Sequence, residues 1–264
     1  MSKQKRLDPR LVSLTAEGSF AAEQYQGLRL TLERLGNGRG AQALAVTSPA
    51  AGDGKTVTAI NLAGTLARGT EGRVLLIDAD LRRPCVAQEL TLGDDTGPGL
   101  VGAIVNRDLR LEDVIRHRPP FTLSILPAGS PVANPYELLK SPRLGELMEE
   151  ARRHYDYVVV DTPPIVNIPD CRAIARVVDG FIVVVAAHRT ARKLVEEALN
   201  SLESAKVIGL VFNADDRPVT GYYYGYNGSA GQRRDGRWTR SLRGAGRSIG
   251  DRFGRLRASR PSGR

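Results

Sequence analysis

Ser48-Pro49-Ala50-Ala51-Gly52-Asp53-Gly54-Lys55-Thr56 follows the apolar run Ala43-Leu44-Ala45-Val46 and opens into a helical pattern over 54–68. Strand, glycine-rich loop and helix, in that order, make a phosphate cradle. Small residues let successive backbone N–H groups curl around an anion. The start of the following helix adds unsatisfied donors and the positive end of its dipole. In this pattern Lys55 reaches the β- and γ-phosphates of a nucleotide, and the Thr56 hydroxyl binds Mg²⁺. Gly52, Asp53, Gly54, Lys55, Thr56 and Val57 are therefore the candidate nucleotide-binding residues. Pro49 stands where the strict pattern has glycine.

Two further strand-like runs end in carboxylates. Val74-Leu75-Leu76-Ile77 leads into Asp78-Ala79-Asp80-Leu81-Arg82-Arg83-Pro84, and Tyr157-Val158-Val159-Val160 leads into Asp161-Thr162-Pro163-Pro164. A buried strand that delivers a carboxylate at its tip needs a partner for it, because an unpaired buried charge is unfavourable. Beside a phosphate loop the natural partner is Mg²⁺ with its waters. The competing reading, that each aspartate merely caps its loop, weakens when three lie at strand tips next to one cradle.

Outward from these motifs, apolar runs alternate with helical patterns. Strands are expected near 43–47, 73–78, 122–126, 157–161, 181–186 and 207–212, and helices near 54–68, 135–153, 170–178 and 190–204. Runs this continuously apolar imply strands covered on both faces, hence a mostly parallel α/β sheet flanked by helices. Ligands of such sheets bind at the carboxyl ends of the strands, where the motif residues cluster. Residues 1–18 show no strong pattern. From Ser19, a helix N-cap, Ala21, Tyr25, Leu28, Leu32 and Leu35 recur at helical spacing until Gly36. The expected division is an N-terminal segment with a helix over 1–36, a nucleotide-binding domain over 37–213, and a tail over 214–264.

At 264 residues and 41% hydrophobic composition the chain can bury one good core. Its longest apolar run, 181–187, is far too short to cross a bilayer, and the start lacks the apolar stretch of a signal peptide. The expected location is cytoplasmic. Cys85 and Cys171 are the only cysteines and have neither metal-ligand nor disulfide-framework spacing. The formal net charge of +9 suggests nucleic acid until it is located. Residues 229–264 hold eleven arginines against Asp235 and Asp251, so the whole excess sits in the tail and the rest of the chain is neutral.

The three motifs, SPAAGDGKT, VLLIDADLRRP and YDYVVVDTPP in that order, resemble the Walker A, A′ and B motifs of the bacterial tyrosine kinases, P-loop NTPases of the deviant-Walker type. The resemblance covers residues 23–213, includes the stretch ILPAGSPVANPYELLKSPRL, and is most specific in DADLRRP. It implies an ATP- and Mg²⁺-dependent tyrosine autokinase that regulates capsule or exopolysaccharide synthesis and export. Lys55, Asp78, Asp80 and Asp161 would carry the chemistry. Asp78 would orient or deprotonate the tyrosine hydroxyl, and Thr56, Asp80 and Asp161 would hold the metal. Gly221-Tyr222-Tyr223-Tyr224-Gly225-Tyr226 is similar to the C-terminal cluster that such kinases phosphorylate on themselves. The resemblance also implies a membrane-embedded polysaccharide co-polymerase as activator, a cognate tyrosine phosphatase, a homo-oligomer, and a place at the inner face of the plasma membrane. The ring-forming Glu-x-x-Arg-x-x-Arg helix of the family is matched by Glu23 and Arg29, but Gln26 replaces the middle arginine.

Two rival functions remain. A partitioning or septum-placing ATPase of the same branch carries a second lysine early in the loop, where this chain has Ala50. A non-catalytic, nucleotide-gated adaptor of polysaccharide export has no need of Lys55 and all three aspartates. In the tail, Trp238, Leu242, Ala245, Ile249, Phe253 and Leu256 follow helical spacing, with Arg237, Arg240, Arg243, Arg247 and Arg255 mostly opposite. That pattern over 238–256 fits a basic helix on an anionic membrane surface. A solvated disordered tail and a nucleic-acid contact are the alternatives.

Overall fold

The computed structural model describes residues 6–36, 41–69, 73–93, 97–119 and 121–215. The tyrosine cluster 222–226 and the arginine tail lie outside the described residues. Strands β1 (Gln42–Thr47), β2 (Val74–Asp78), β3 (Arg116–His117), β4 (Leu123–Leu126), β5 (Tyr157–Asp161), β6 (Gly180–Ala186) and β7 (Val207–Asn213) form one sheet. Their order is β3-β4-β2-β5-β1-β6-β7. Every neighbouring pair is parallel except β3 with β4.

The helices are α1 (Val12–Thr15), α2 (Phe20–Gly36), α3 (Lys55–Gly69), α4 (Val86–Glu89), α5 (Gly99–Val105), α6 (Leu111–Val114), α7 (Pro135–Leu139), α8 (Pro142–His154), α9 (Asp170–Ile174) and α10 (Arg192–Asn200). Because side chains alternate along a strand, each central strand feeds two cores. Ala43, Ala45, Leu75, Ile77, Val158 and Val160 pack on one face with residues of α5 to α9. Leu44, Val46, Val74, Leu76 and Val159 pack on the other with α1, α2 and α3. Dual coverage is the physical reason these strands read as unbroken apolar runs.

Several local outcomes differ from the sequence reading, among them α9, which ends at Ile174 where the expected helix reaches 178, and the unexpected short strand β3. The single helix expected over 135–153 is two. Pro142 has no N–H to continue α7, and Ser141 instead caps α8, its Oγ accepting from the Arg143 N–H at 3.3 Å. Residues 11–14, which carried no pattern, form a strap over α3. Leu11 is fully buried, and the Asn61 amide accepts from the Ser13 N–H at 2.9 Å and donates to the Arg10 carbonyl at 2.9 Å. Thr58, Asn61 and Thr65 thus form a polar face of α3 that is buried under backbone rather than exposed to water. The edge strand β7 is only half covered, with Phe212 66% exposed. The short helices α4, α5 and α6 lie in a region to which no periodicity assigned structure. Ser19 does cap α2, accepting from the Ala22 N–H at 3.2 Å.

Candidate active site

β1 delivers the chain into the phosphate loop, and α3 begins at Lys55, so the first-turn N–H groups of α3 face the loop. Gly52 and Gly54 have φ of 86° and 97°, a left-handed backbone that glycine adopts without strain. On the adjoining parallel strands Asp161 pairs in register with Val46 of β1 on one side and with Asp78 of β2 on the other. Parallel register alone therefore sets the Asp161 carboxylate between the loop and Asp78. One residue past the end of β2, the Ala79 N–H donates to the Asp161 carbonyl at 2.8 Å, and the turn that follows brings Asp80 to Lys55.

The five candidate chemical side chains meet. Lys55 Nζ lies 2.8 Å from Asp80 Oδ2 and 3.8 Å from Asp161 Oδ1. The Thr56 hydroxyl donates to Asp161 Oδ2 at 2.7 Å. Asp78 Oδ2 accepts from the Cys85 and Val86 N–H groups, both at 3.1 Å. Asp78 and Asp161 are fully buried and Asp80 is 3% exposed. Asp78 Oδ1 and Asp161 Oδ1 are buried with no hydrogen bond among the described residues.

Three buried carboxylates against one lysine leave the site short of positive charge. Burial and the neighbouring Asp161 push Asp78 well above the usual carboxylate range, to about 8. Burial also raises Asp161, to about 6, although Lys55 and the Thr56 hydroxyl pull the other way. Burial by itself would lower Lys55, but Asp161 and Asp80 outweigh it and hold the ammonium above its ordinary value. The bare oxygen of Asp161, the Thr56 hydroxyl and this charge deficit fit Mg²⁺. Among the described residues no three His, Cys, Asp or Glu side chains make an all-protein metal cage. Mg²⁺ takes one or two carboxylates and leaves the rest of its shell to phosphate and water.

Both oxygens of the Asp53 carboxylate are engaged within the protein. Its Oδ2 accepts from the Ala50 N–H at 2.9 Å and its Oδ1 from the Thr190 hydroxyl at 2.7 Å, so Asp53 can offer a phosphate only its backbone N–H. Arg82 forms a structural ion pair. Its Nε and Nη2 bind both oxygens of the wholly buried Asp170, at 2.8 and 2.9 Å. Arg82→Ala strands that carboxylate, and we expect a loss of about 1–3 kcal/mol, reduced by the partial exposure of Arg82. Adding Asp170→Asn should restore the thermal midpoint. A single variant that unfolds with the parent would show the pair contributes nothing.

Burial raises both thiols, Cys171 to about 11, so neither is poised as a thiolate. Arg29 is mostly buried within its own chain, with Nη1 3.6 Å from Glu33 and its guanidinium over Gly69. A 430 Å³ cavity lined by Arg73, Arg110, His117, Glu150 and His154 shares no residue with the loop or the acidic tips, and the site is defined by the latter. Asp170, Arg189, Thr190 and Asn213 reach this site although no sequence motif marked them. They lie more than 80 residues from the positions they contact, so local pattern holds no signal for them.

An AAA domain family matches residues 41–208. Tyrosine-protein kinase YwqD of Bacillus subtilis (strain 168) is 31% identical over 210 residues, 79% of this chain and 87% of that protein. The chain belongs to the bacterial tyrosine kinases. Putative tyrosine-protein kinase CapB of Staphylococcus aureus is 30% identical, over 85% of this kinase and 99% of CapB. The kinase domain of Escherichia coli tyrosine kinase ETK superposes with a TM-score of 0.74 at 29% identity, over 85% of this kinase and 87% of that chain. The succinoglycan biosynthesis transport protein ExoP of Rhizobium meliloti (strain 1021) is 33% identical over 83% of this kinase, which spans only 28% of ExoP. The septum site-determining protein MinD of Pyrococcus horikoshii OT3, complexed with Mg-ADP, shares the fold at a TM-score of 0.51 and 23% identity. The kinase is thus a nucleotide-binding P-loop protein with a mostly parallel sheet, as its motifs imply.

Proposed function

We propose that this kinase transfers the γ-phosphoryl group of Mg·ATP to tyrosines of its own C-terminal cluster, Tyr222, Tyr223, Tyr224 and Tyr226, in the control of capsule or exopolysaccharide synthesis. The observation that carries the reading is the buried Asp78, whose Oδ1 has no hydrogen bond among the described residues and which feels the charges of Asp161, Asp80 and Lys55. Burial and the neighbouring Asp161 disfavour its charge, and a divalent cation bound beside it would favour the carboxylate form, the one that can accept the proton of a phenol of pKa near 10. Asp78 accepts the phenolic proton as the tyrosine oxygen bonds to phosphorus and the bond from phosphorus to the β–γ bridging oxygen breaks, releasing ADP. Lys55 exchanges Asp80 for the β- and γ-phosphates, and the loop N–H groups hold the rest. Thr56, Asp161 and Asp80 would hold Mg²⁺ directly or through water, and the ion would supply positive charge to neutralise the phosphates. Positioning and neutralisation of this kind are most of what phosphoryl transfer needs.

A relative named as a succinoglycan biosynthesis transport protein, ExoP, supports a membrane-embedded co-polymerase as the activating partner. No helix among the described residues is long and apolar enough to cross a membrane, which suits action at the inner membrane face beside such a partner. A tyrosine phosphatase and self-association complete the reading, with the basic stretch 238–256 as a membrane contact.

Modification should occur between molecules. A Lys55→Met protein that keeps its tyrosines should be labelled by an active copy with all four cluster tyrosines changed to phenylalanine. Mass spectrometry should place the phosphate on 222–226. Phosphate mainly on Tyr25, Tyr136, Tyr155 or Tyr157 would overturn the site of modification, and hydrolysis of ATP with no phosphotyrosine at all would favour the partitioning-ATPase reading.

A further inference from the structure

The phosphate loop is gripped from outside by side chains that arrive from β6 and β7. Arg189 Nη2 donates to the Gly52 carbonyl at 3.2 Å, and Asn213 Nδ2 donates to the Asp53 carbonyl at 2.9 Å. The Ser48 hydroxyl takes the Ala50 carbonyl at 2.7 Å. The Thr190 hydroxyl is itself fixed, accepting from the Ala186 N–H at the end of β6 at 3.1 Å while it donates to Asp53 Oδ1. Gly54 must remain glycine here, since a Cβ would strike the Asn213 amide.

In a planar trans peptide the C=O of one residue and the N–H of the next point in opposite directions. Holding the Ala50, Gly52 and Asp53 carbonyls therefore aims the N–H groups of Ala51, Asp53 and Gly54. Gly52 and Gly54 make the intervening peptides easy to flip, and one flip would turn a carbonyl dipole toward the phosphates. An external hold removes that freedom before the ligand arrives, so binding does not have to supply the ordering.

We infer that Arg189, Thr190 and Asn213 are positioning residues that lock residues 50–54 in a phosphate-ready form, with Asp53 as the point where the β6 and β7 anchors meet. The inference rests on reading 48–56 as a phosphate cradle and names the residues that set its affinity. Asn213 also ends β7, so the lock sits at the root of the segment leading to the tyrosine cluster.

The test uses the full chain and Mg·tripolyphosphate, which has no base or ribose, alongside Mg·ATP, with binding followed by calorimetry. Thr190→Val and Asn213→Ala should each weaken tripolyphosphate binding roughly tenfold, the usual effect of losing a hydrogen bond to a charged or buried acceptor. KM for ATP should rise by a similar factor, with kcat changing less. Thr190→Ser, which keeps the hydroxyl, should restore parental binding and shows that the valine variant failed through the lost hydrogen bond rather than misfolding. Parental tripolyphosphate affinity in both variants, or a fall in kcat with KM unchanged, would overturn the inference. An unmodified chain that bound neither tripolyphosphate nor ATP would sink the phosphate-cradle reading and the inference together.

Discussion

Lys55→Met yields a protein that forms no phosphotyrosine and unfolds well below its parent. Activity goes because the loop loses its one side-chain cation for the β- and γ-phosphates, and removing a donor aimed at transferring charge typically lowers turnover on the order of 10²–10³-fold. Stability falls for a separate reason. Asp80 is 3% exposed and has Lys55 at 2.8 Å as its cation. Without the ammonium, three buried carboxylates face one another uncompensated. Breaking a buried pair by removing one partner costs on the order of 3 kcal/mol, or roughly 6–12 °C in a chain of this size. Differential scanning fluorimetry without nucleotide measures that drop. Lys55→Met with Asp80→Asn should regain most of the midpoint while staying inactive. If the single variant keeps parental phosphotyrosine levels, Lys55 has been given the wrong role.

Asp78→Asn is expected to be equally inactive but more stable than the parent. The amide oxygen can still accept from the Cys85 and Val86 N–H groups, as Oδ2 does now. The amide nitrogen falls where Oδ1 is buried without a hydrogen bond, in the field of the Asp161 and Asp80 carboxylates. A permanently neutral group thus replaces one whose ionisation the fold opposes, while the acceptor for the tyrosine proton disappears, an effect on the order of 10²–10⁴-fold. The sign of the pH dependence follows from a folded-state pKa raised from 3.8 to about 8. The group's favourable contribution is fully present below about 4 and is lost as the pH rises through 8. The midpoint of the variant should match that of the parent near pH 4 and exceed it increasingly toward pH 8. A variant that is less stable than the parent at pH 8 would show that Asp78 is ionised and well compensated in the fold. Nucleotide binding should survive, since Lys55 and the loop are untouched.

The legible parts of this protein share a physical cause. SPAAGDGKT, the two carboxylate-tipped apolar runs and the Ser19 cap are local, in that a few consecutive residues contain both the backbone requirement and the chemistry. Strands buried on both faces carry their burial in plain composition, so the parallel sheet and the clustering of Lys55, Asp78, Asp80 and Asp161 at its carboxyl edge were readable in advance. The break between α7 and α8 also has a local cause, because Pro142 lacks the N–H that would continue α7.

Other features have no local trace. The strap at residues 11–14 is marked by two leucines in a polar stretch, and its binding to Asn61 depends on α3 presenting a polar face inward. Asp53 sits inside the motif, yet its carboxylate serves Thr190, 137 positions away. Nothing in the sequence around Arg82 names its partner, and only the placement of α9 brings Asp170 to it. By itself the sequence determined the fold class, the phosphate loop and the acidic set, because each is encoded by adjacent residues. Which charges are paired, which oxygens are left bare and which distant side chains grip the loop were decided by tertiary structure, because those depend on how strands more than a hundred residues apart come into register.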